Sequence, residues 1–162
     1  MRAVHAGRDE LGRARIARRV ALALGAVLAC QAAPSGPVSL PLADTASIRI
    51  FTVATNADWT SHIPLTTGYT VRLQVRLYTA AGREITPPAH PVAMSFSFTP
   101  AALATAAVAD STLLLFDLTP VDSAGTGGDL RITLTEPSTA TAKSFGPFDV
   151  LVHPAAVRQQ TP

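Results

Sequence analysis

From Ser47 onward, apolar and polar residues alternate with a period of two, and no stretch repeats at the spacing of a helix face. The strictest run is Thr70–Tyr78, TVRLQVRLY, where Val71, Leu73, Val75 and Leu77 alternate with Arg72, Gln74, Arg76 and Tyr78. Successive side chains of a strand point to opposite faces, so the aliphatic row meets a core and the cationic row meets water. Val92–Thr99 repeats the pattern, with Val92, Met94, Phe96 and Phe98 inward against Ala93, Ser95, Ser97 and Thr99. Leu130–Thr135 does so with Leu130, Ile132 and Leu134 inward, and Phe145–His153 with Phe148, Val150 and Val152.

Other stretches are less regular. Ser47–Val53, SIRIFTV, starts as a strand with Ile48 and Ile50, and its slip to Phe51 and Val53 predicts a bulge or a change of face. Gly82 permits a turn after which Arg83–Thr86 returns as a short strand. Ser111–Thr119 is apolar on both parities from Leu113 to Phe116, which predicts a strand covered on both faces. Pro100–Ala109, PAALATAAVA, has no strong face and reads as a single turn or an irregular crossover. Thr55–Gly68, Asp122–Asp129 and Pro137–Lys143 read as polar connections and turns. Six to seven short strands without βαβ alternation predict an all-β fold, a single antiparallel two-sheet β-sandwich over residues 47–154, with a disordered tail at 155–162.

What precedes the strands changes the picture. An Arg-rich lead and an apolar run of about ten residues, ending in Val27-Leu28-Ala29-Cys30, have the form of an export signal over residues 1–29, and the run is too short to span a bilayer as a helix. Residues 30–46 then form a flexible, Pro-rich tether, in which Pro34, Pro37 and Pro41 disfavour a helix. The segment Val27–Cys30 resembles the lipobox of bacterial lipoproteins. That resemblance implies cleavage before Cys30, lipid on its thiol and attachment to a membrane of the cell envelope. Gln31 after the cysteine implies the outer membrane rather than the inner where there are two.

Charge follows from the same division. Beyond residue 29 the chain carries six Arg and Lys143 against nine acids, a net charge of about −2, and the cations are scattered singly. A nucleic-acid partner is thereby excluded. Cys30 is the only cysteine, so the fold rests on its core and not on a disulfide.

LQVRLYTAAGREI, MSFSFTPAALATAAV, GGDLRITL and the final FDVLV together resemble bacterial immunoglobulin-like domains of surface proteins, over Ser47–His153. The resemblance implies an immunoglobulin-like sandwich. The tryptophan such domains often carry in the middle strand is replaced here by Phe96 or Phe98, and the cysteine pair of antibody domains is absent.

Chemistry is sparse. No serine lies in a G-x-S-x-G elbow, and the expectation is that the protein is not an enzyme. His62, His90 and His153 lack the close spacing of a metal site, and Asp117, Asp122 and Asp129 match no calcium loop, so turn formation accounts for the aspartates and no cofactor is expected. Trp59, His62, Tyr69, Arg72 and Arg76 form a candidate partner surface for a protein or a glycan, although a lone tryptophan beside a sandwich also serves to plug its core. The expected function is that of a lipid-anchored cell-envelope protein with a non-catalytic binding or structural module. An accessory lipoprotein of a periplasmic or outer-membrane assembly is the alternative, and a secreted enzyme the third.

Overall fold

The structure is a computed structural model that describes residues 39–86, 88–121 and 125–155. The expected signal, Cys30, most of the tether, Asp122 and the tail from residue 156 lie outside the described residues.

Among the described residues, nine strands follow a 3-10 turn at Leu42–Asp44. They are β1 (Ser47–Thr52), β2 (Ile63–Thr66), β3 (Val71–Tyr78), β4 (Glu84–Ile85), β5 (Ala93–Thr99), β6 (Ala104–Asp110), β7 (Leu115–Pro120), β8 (Gly127–Glu136) and β9 (Thr141–His153). One sheet runs β1-β3-β7-β6, with β4 also on β3, and the other runs β2-β9-β8-β5. Neighbours are antiparallel except β2 and β9, which are parallel. The inner rows of both sheets form one core. Ile50, Leu73, Phe116 and Leu118 supply it from the first sheet and Leu130, Ile132, Leu134 and Val150 from the second, all fully buried. Phe96 and Phe116 meet across the sandwich with ring centroids 4.8 Å apart. The all-β, two-sheet sandwich read from the alternation is therefore the fold of the described residues.

The alternating strands keep their expected faces. Leu73, Val75 and Leu77 are buried, and their burial contributes roughly 5–9 kcal/mol before the cost of ordering the chain. The count of six to seven strands is corrected to nine among the described residues. β2 was hidden because Ile63–Thr66 is four residues long and contains Pro64, which weakens any reading as a strand. β6 replaces the expected turn or crossover over Pro100–Ala109, because pairing with β7 outweighs the weak preferences of an Ala-rich segment.

Two further expectations fail on local grounds. No bulge displaces β1: Thr52 takes the inward place after Ile50, and its hydroxyl is bonded by the Ala57 amide at 3.1 Å and by the Thr55 hydroxyl at 2.6 Å. The strand expected over Ser111–Thr119 begins only at Leu115 and is covered on one face. Asp110 Oδ1 accepts the amides of Thr112 and Leu113, Leu114 adopts φ 53°, and Leu113 is turned out to water. The core also begins earlier than Ser47, since Leu42 is 1% exposed within it.

Candidate functional site

The outer face of β1 and β3 gathers most of the charged and aromatic side chains of interest. Ser47, Arg49 and Phe51 of β1 stand opposite Tyr78, Arg76 and Gln74 of β3. Two arginines thus face each other directly, an arrangement that costs energy unless each finds another partner. Both do so diagonally. The Arg76 guanidinium lies 4.1 Å from the centroid of the Phe51 ring, and that of Arg49 lies 5.1 Å from the centroid of Tyr78. Each ring offers its negative face to the cation.

Loop residues complete the arrangement. Arg76 donates to Gln74 Oε1 at 3.1 Å and to Asn56 Oδ1, and Asn56 reaches it from a turn at φ 55°. Asp58 lies 4.0 Å from Arg49. Hydrogen bonding from Thr60 holds the Asp58 carboxyl below its ordinary value; burial opposes this, and the nearby Arg49 and Arg76 add smaller downward contributions. Next along β3, Arg72 makes a bidentate pair with Asp117 of β7, at 2.7 and 2.8 Å. That pair lowers the Asp117 pKa and raises that of Arg72, chiefly through the hydrogen bonds.

The five residues of the expected partner surface do not form one patch: Arg72 and Arg76 lie on β3, and Trp59, His62 and Tyr69 lie in the loops on either side of β2. Arg72 and Arg76 share the outer face of the first sheet, each already engaged. Trp59 packs against the core and donates its amide to the Ile50 carbonyl, as expected of a plug. His62 Nδ1 lies 2.5 Å from Asp149 Oδ2 of β9, in the second sheet. Tyr69, in the turn before β3, is 62% exposed. Arg49, Phe51, Tyr78, Asn56 and Asp58 escaped the sequence reading. The available signal was the off-parity place of Phe51 in SIRIFTV, which marks an aromatic on the wet face.

The histidines and aspartates weighed as metal ligands take separate positions. His90 Nε2 stands 3.6 Å from the buried carboxyl of Glu136, and the His153 carbonyl accepts from Thr67. Asp129 lies on β8 opposite Asp149, and Asp117 is held by Arg72. Among the described residues no three His, Cys, Asp or Glu side chains gather as a metal site.

A second constellation fixes the start of the domain. Leu42 donates its amide to Glu136 Oε2 at 2.8 Å, and Lys143 Nζ donates to the carbonyls of Ala43 and Thr45 at 2.6 and 2.7 Å. Both side chains come from the β8–β9 hairpin, in which Glu136 pairs with Thr141 and Lys143 with Leu134. The Ala89 amide donates to the Leu40 carbonyl and the Ala46 amide to that of Tyr78, so the entering chain is held on several sides.

Comparison with known proteins adds little. No family model matches the chain, and no curated protein matches it. Among solved structures, domains 4 and 5 of the S-layer protein SbsC are similar to it with a TM-score of 0.39 and 13% sequence identity, over 57% of this chain and 47% of that one. The chain thus matches about half the length of that structure.

Proposed function

We propose that the protein is exported, carries lipid on Cys30, and presents the β-sandwich as a non-catalytic binding or structural module of the cell envelope. The observation that carries this reading is the run Arg18–Cys30 ending in Val27-Leu28-Ala29-Cys30, followed at once by a Pro-rich stretch. The grip of Glu136 and Lys143 on Leu42–Thr45 supports it, because a domain held at its entry by side-chain clamps is suited to hang from an anchor just upstream. Eleven residues separate Cys30 from Leu42. At about 3.3–3.6 Å per residue they reach at most about 40 Å, so the module stays close to the membrane surface. In this reading the Arg49–Tyr78 and Arg76–Phe51 pairs form the face offered to a protein or glycan partner.

Metabolic labelling with a fatty-acid probe tests the anchor. Wild-type protein is expected to take up the label and to fractionate with membranes, and Cys30→Ser to lose both. Undiminished labelling in that variant would overturn the reading.

A further inference from the structure

The four edges of the two sheets are not treated alike. On β1 the loop that follows covers the free side: the Ile50 amide donates to Thr60 Oγ1, the Trp59 amide to the Ile50 carbonyl and the Thr52 amide to the Ala57 carbonyl. A bridge between Phe51 and Asp58 closes it further. β2 is only four residues long and contains Pro64. β6 is interrupted by a register shift between Val108 and Asp110. Loops, prolines, short strands and bulges are the devices by which sheet edges avoid pairing with other chains.

β5 has none of them. Ala93–Thr99, AMSFSFT, pairs without irregularity with β8 over seven residues, and it contains no charge and no proline. Among the described residues, no hydrogen bond reaches it from any segment other than β8. Phe96 and Phe98 on its inner row are only half-buried, unlike the fully buried Leu130, Ile132 and Leu134 beside them.

We infer that the β5 edge binds a second copy of this chain, strand to strand and antiparallel, joining two four-stranded sheets into one of eight. A two-fold axis at Phe96 is the register that uses the whole strand. It sets Ala93 opposite Thr99, Met94 opposite Phe98, Ser95 opposite Ser97 and Phe96 opposite its own counterpart. Parity is kept, so Met94, Phe96 and Phe98 of both copies share the inner face and cover the phenyl surface that one copy leaves open. The uncharged edge meets itself without repulsion, and the near-symmetry of AMSFSFT about Phe96, with Ser95 opposite Ser97 and Met94 opposite Phe98, suits it to a second copy. One strand pair is a small interface, and the association is correspondingly weak, in the micromolar range. It also places the turn after Thr99 of one copy beside Pro91 and Val92 of the other, at a cleft lined by Pro88–Val92, Ser111 and Thr112.

Sedimentation velocity of the full chain in a mild non-ionic detergent, from about 10 to about 300 μM, reads the association. Ser95 and Ser97 are exposed and point away from the core, so charge is introduced there without disturbing it. Wild type is expected to form dimers with rising concentration. Ser95→Lys/Ser97→Lys and Ser95→Glu/Ser97→Glu are each expected to weaken dimerisation by at least about tenfold, since the two-fold axis places two like-charged pairs opposite each other. A one-to-one mixture of the two variants is expected to restore it, because each lysine then faces a glutamate. A monomer at every concentration, a dimer that survives in both charged variants, or a mixture no tighter than its components would each overturn the inference.

Discussion

The amide of Leu42 meets the carboxyl of Glu136 at 2.8 Å across 94 positions of sequence, and neither residue is exposed to water. A strand-end carboxyl thus supplies the acceptor for a turn amide that packing has removed from solvent. Deleting the acceptor leaves that amide unpaired, so Glu136→Ala is expected to cost about 2–3 kcal/mol, while Glu136→Gln, which keeps an acceptor oxygen, costs less than half as much. Urea melts of the two variants check this. Equal losses would mean that the Leu42 bond is not what Glu136 contributes.

Lys143 provides the complementary hold on the same turn. Lys143→Met keeps most of the aliphatic stem and removes both bonds to the Ala43 and Thr45 carbonyls. The expected outcome is faster hydrogen exchange at the Ala46 amide, whose acceptor is the Tyr78 carbonyl, with a global loss of only about 1 kcal/mol. Unchanged exchange at Ala46 would show that the clamp does not order the entry.

How far the sequence discloses this depends on how far each feature is local. β3, β5, β8 and the end of β9 were legible because burial on one face writes itself directly as alternation, as in Val71–Leu77. β2 and β6 were not, since their pairing is decided by neighbours far along the chain: Ile63 takes its place beside Val150, and Ala104 beside Pro120. The same holds for the two clamps, where Glu136 and Lys143 look like ordinary turn-flanking charges. Arg72 and Arg76 lie on the outer face of β3, as the alternation predicts. Their partners Asp117 and Phe51 could not be read, because a diagonal or cross-strand pair depends on register, which alternation leaves open.

The two faces of β3 differ in what they contribute. Leu73→Ala removes a fully buried side chain and leaves a cavity, for an expected cost of about 2–4 kcal/mol. Arg76→Ala loses its stacking on Phe51 and its bonds to Gln74 and Asn56, for about 0.5–1 kcal/mol. Denaturant midpoints of both variants test the contrast. Equal losses would imply that the outer face is packed as tightly as the inner one.

Acid sensitivity follows from Asp117 and Asp58, both held below the ordinary carboxylate value of 3.8. A carboxyl depressed in the folded state contributes stability above its unfolded pKa and loses it as pH falls through the folded one. Asp117→Asn lacks the contribution of the Arg72 pair at every pH. The gap in melting temperature between wild type and this variant should therefore be constant near neutrality and close below pH 3.8. The pair is exposed, so the gap is small and shrinks with added salt. A gap that widens on acidification would contradict the assignment.

Gly127 and Gly128 look alike in sequence, as turn residues of a glycine-rich loop, yet both lie in β8 and only one is sterically required. A Cβ at Gly128 would meet the Thr99 carbonyl oxygen at 2.1 Å and Pro100 Cδ at 2.9 Å. The first contact is with backbone of the paired strand, which cannot turn aside as a side chain can. At Gly127 the nearest atoms are the Val150 carbonyl oxygen at 3.4 Å and Leu151 Cδ1 at 3.5 Å, an ordinary packing distance. Gly128→Ala is accordingly expected to cost about 2–3 kcal/mol as the end of β5 is pushed from β8. Gly127→Ala should stay within about 0.5 kcal/mol of wild type, since the strain it adds is offset by the lower entropy of its unfolded chain. Thermal melts of the two variants decide the matter. Equal tolerance of alanine at both positions would mean that β5 and β8 do not approach at Thr99 as closely as the structure has them.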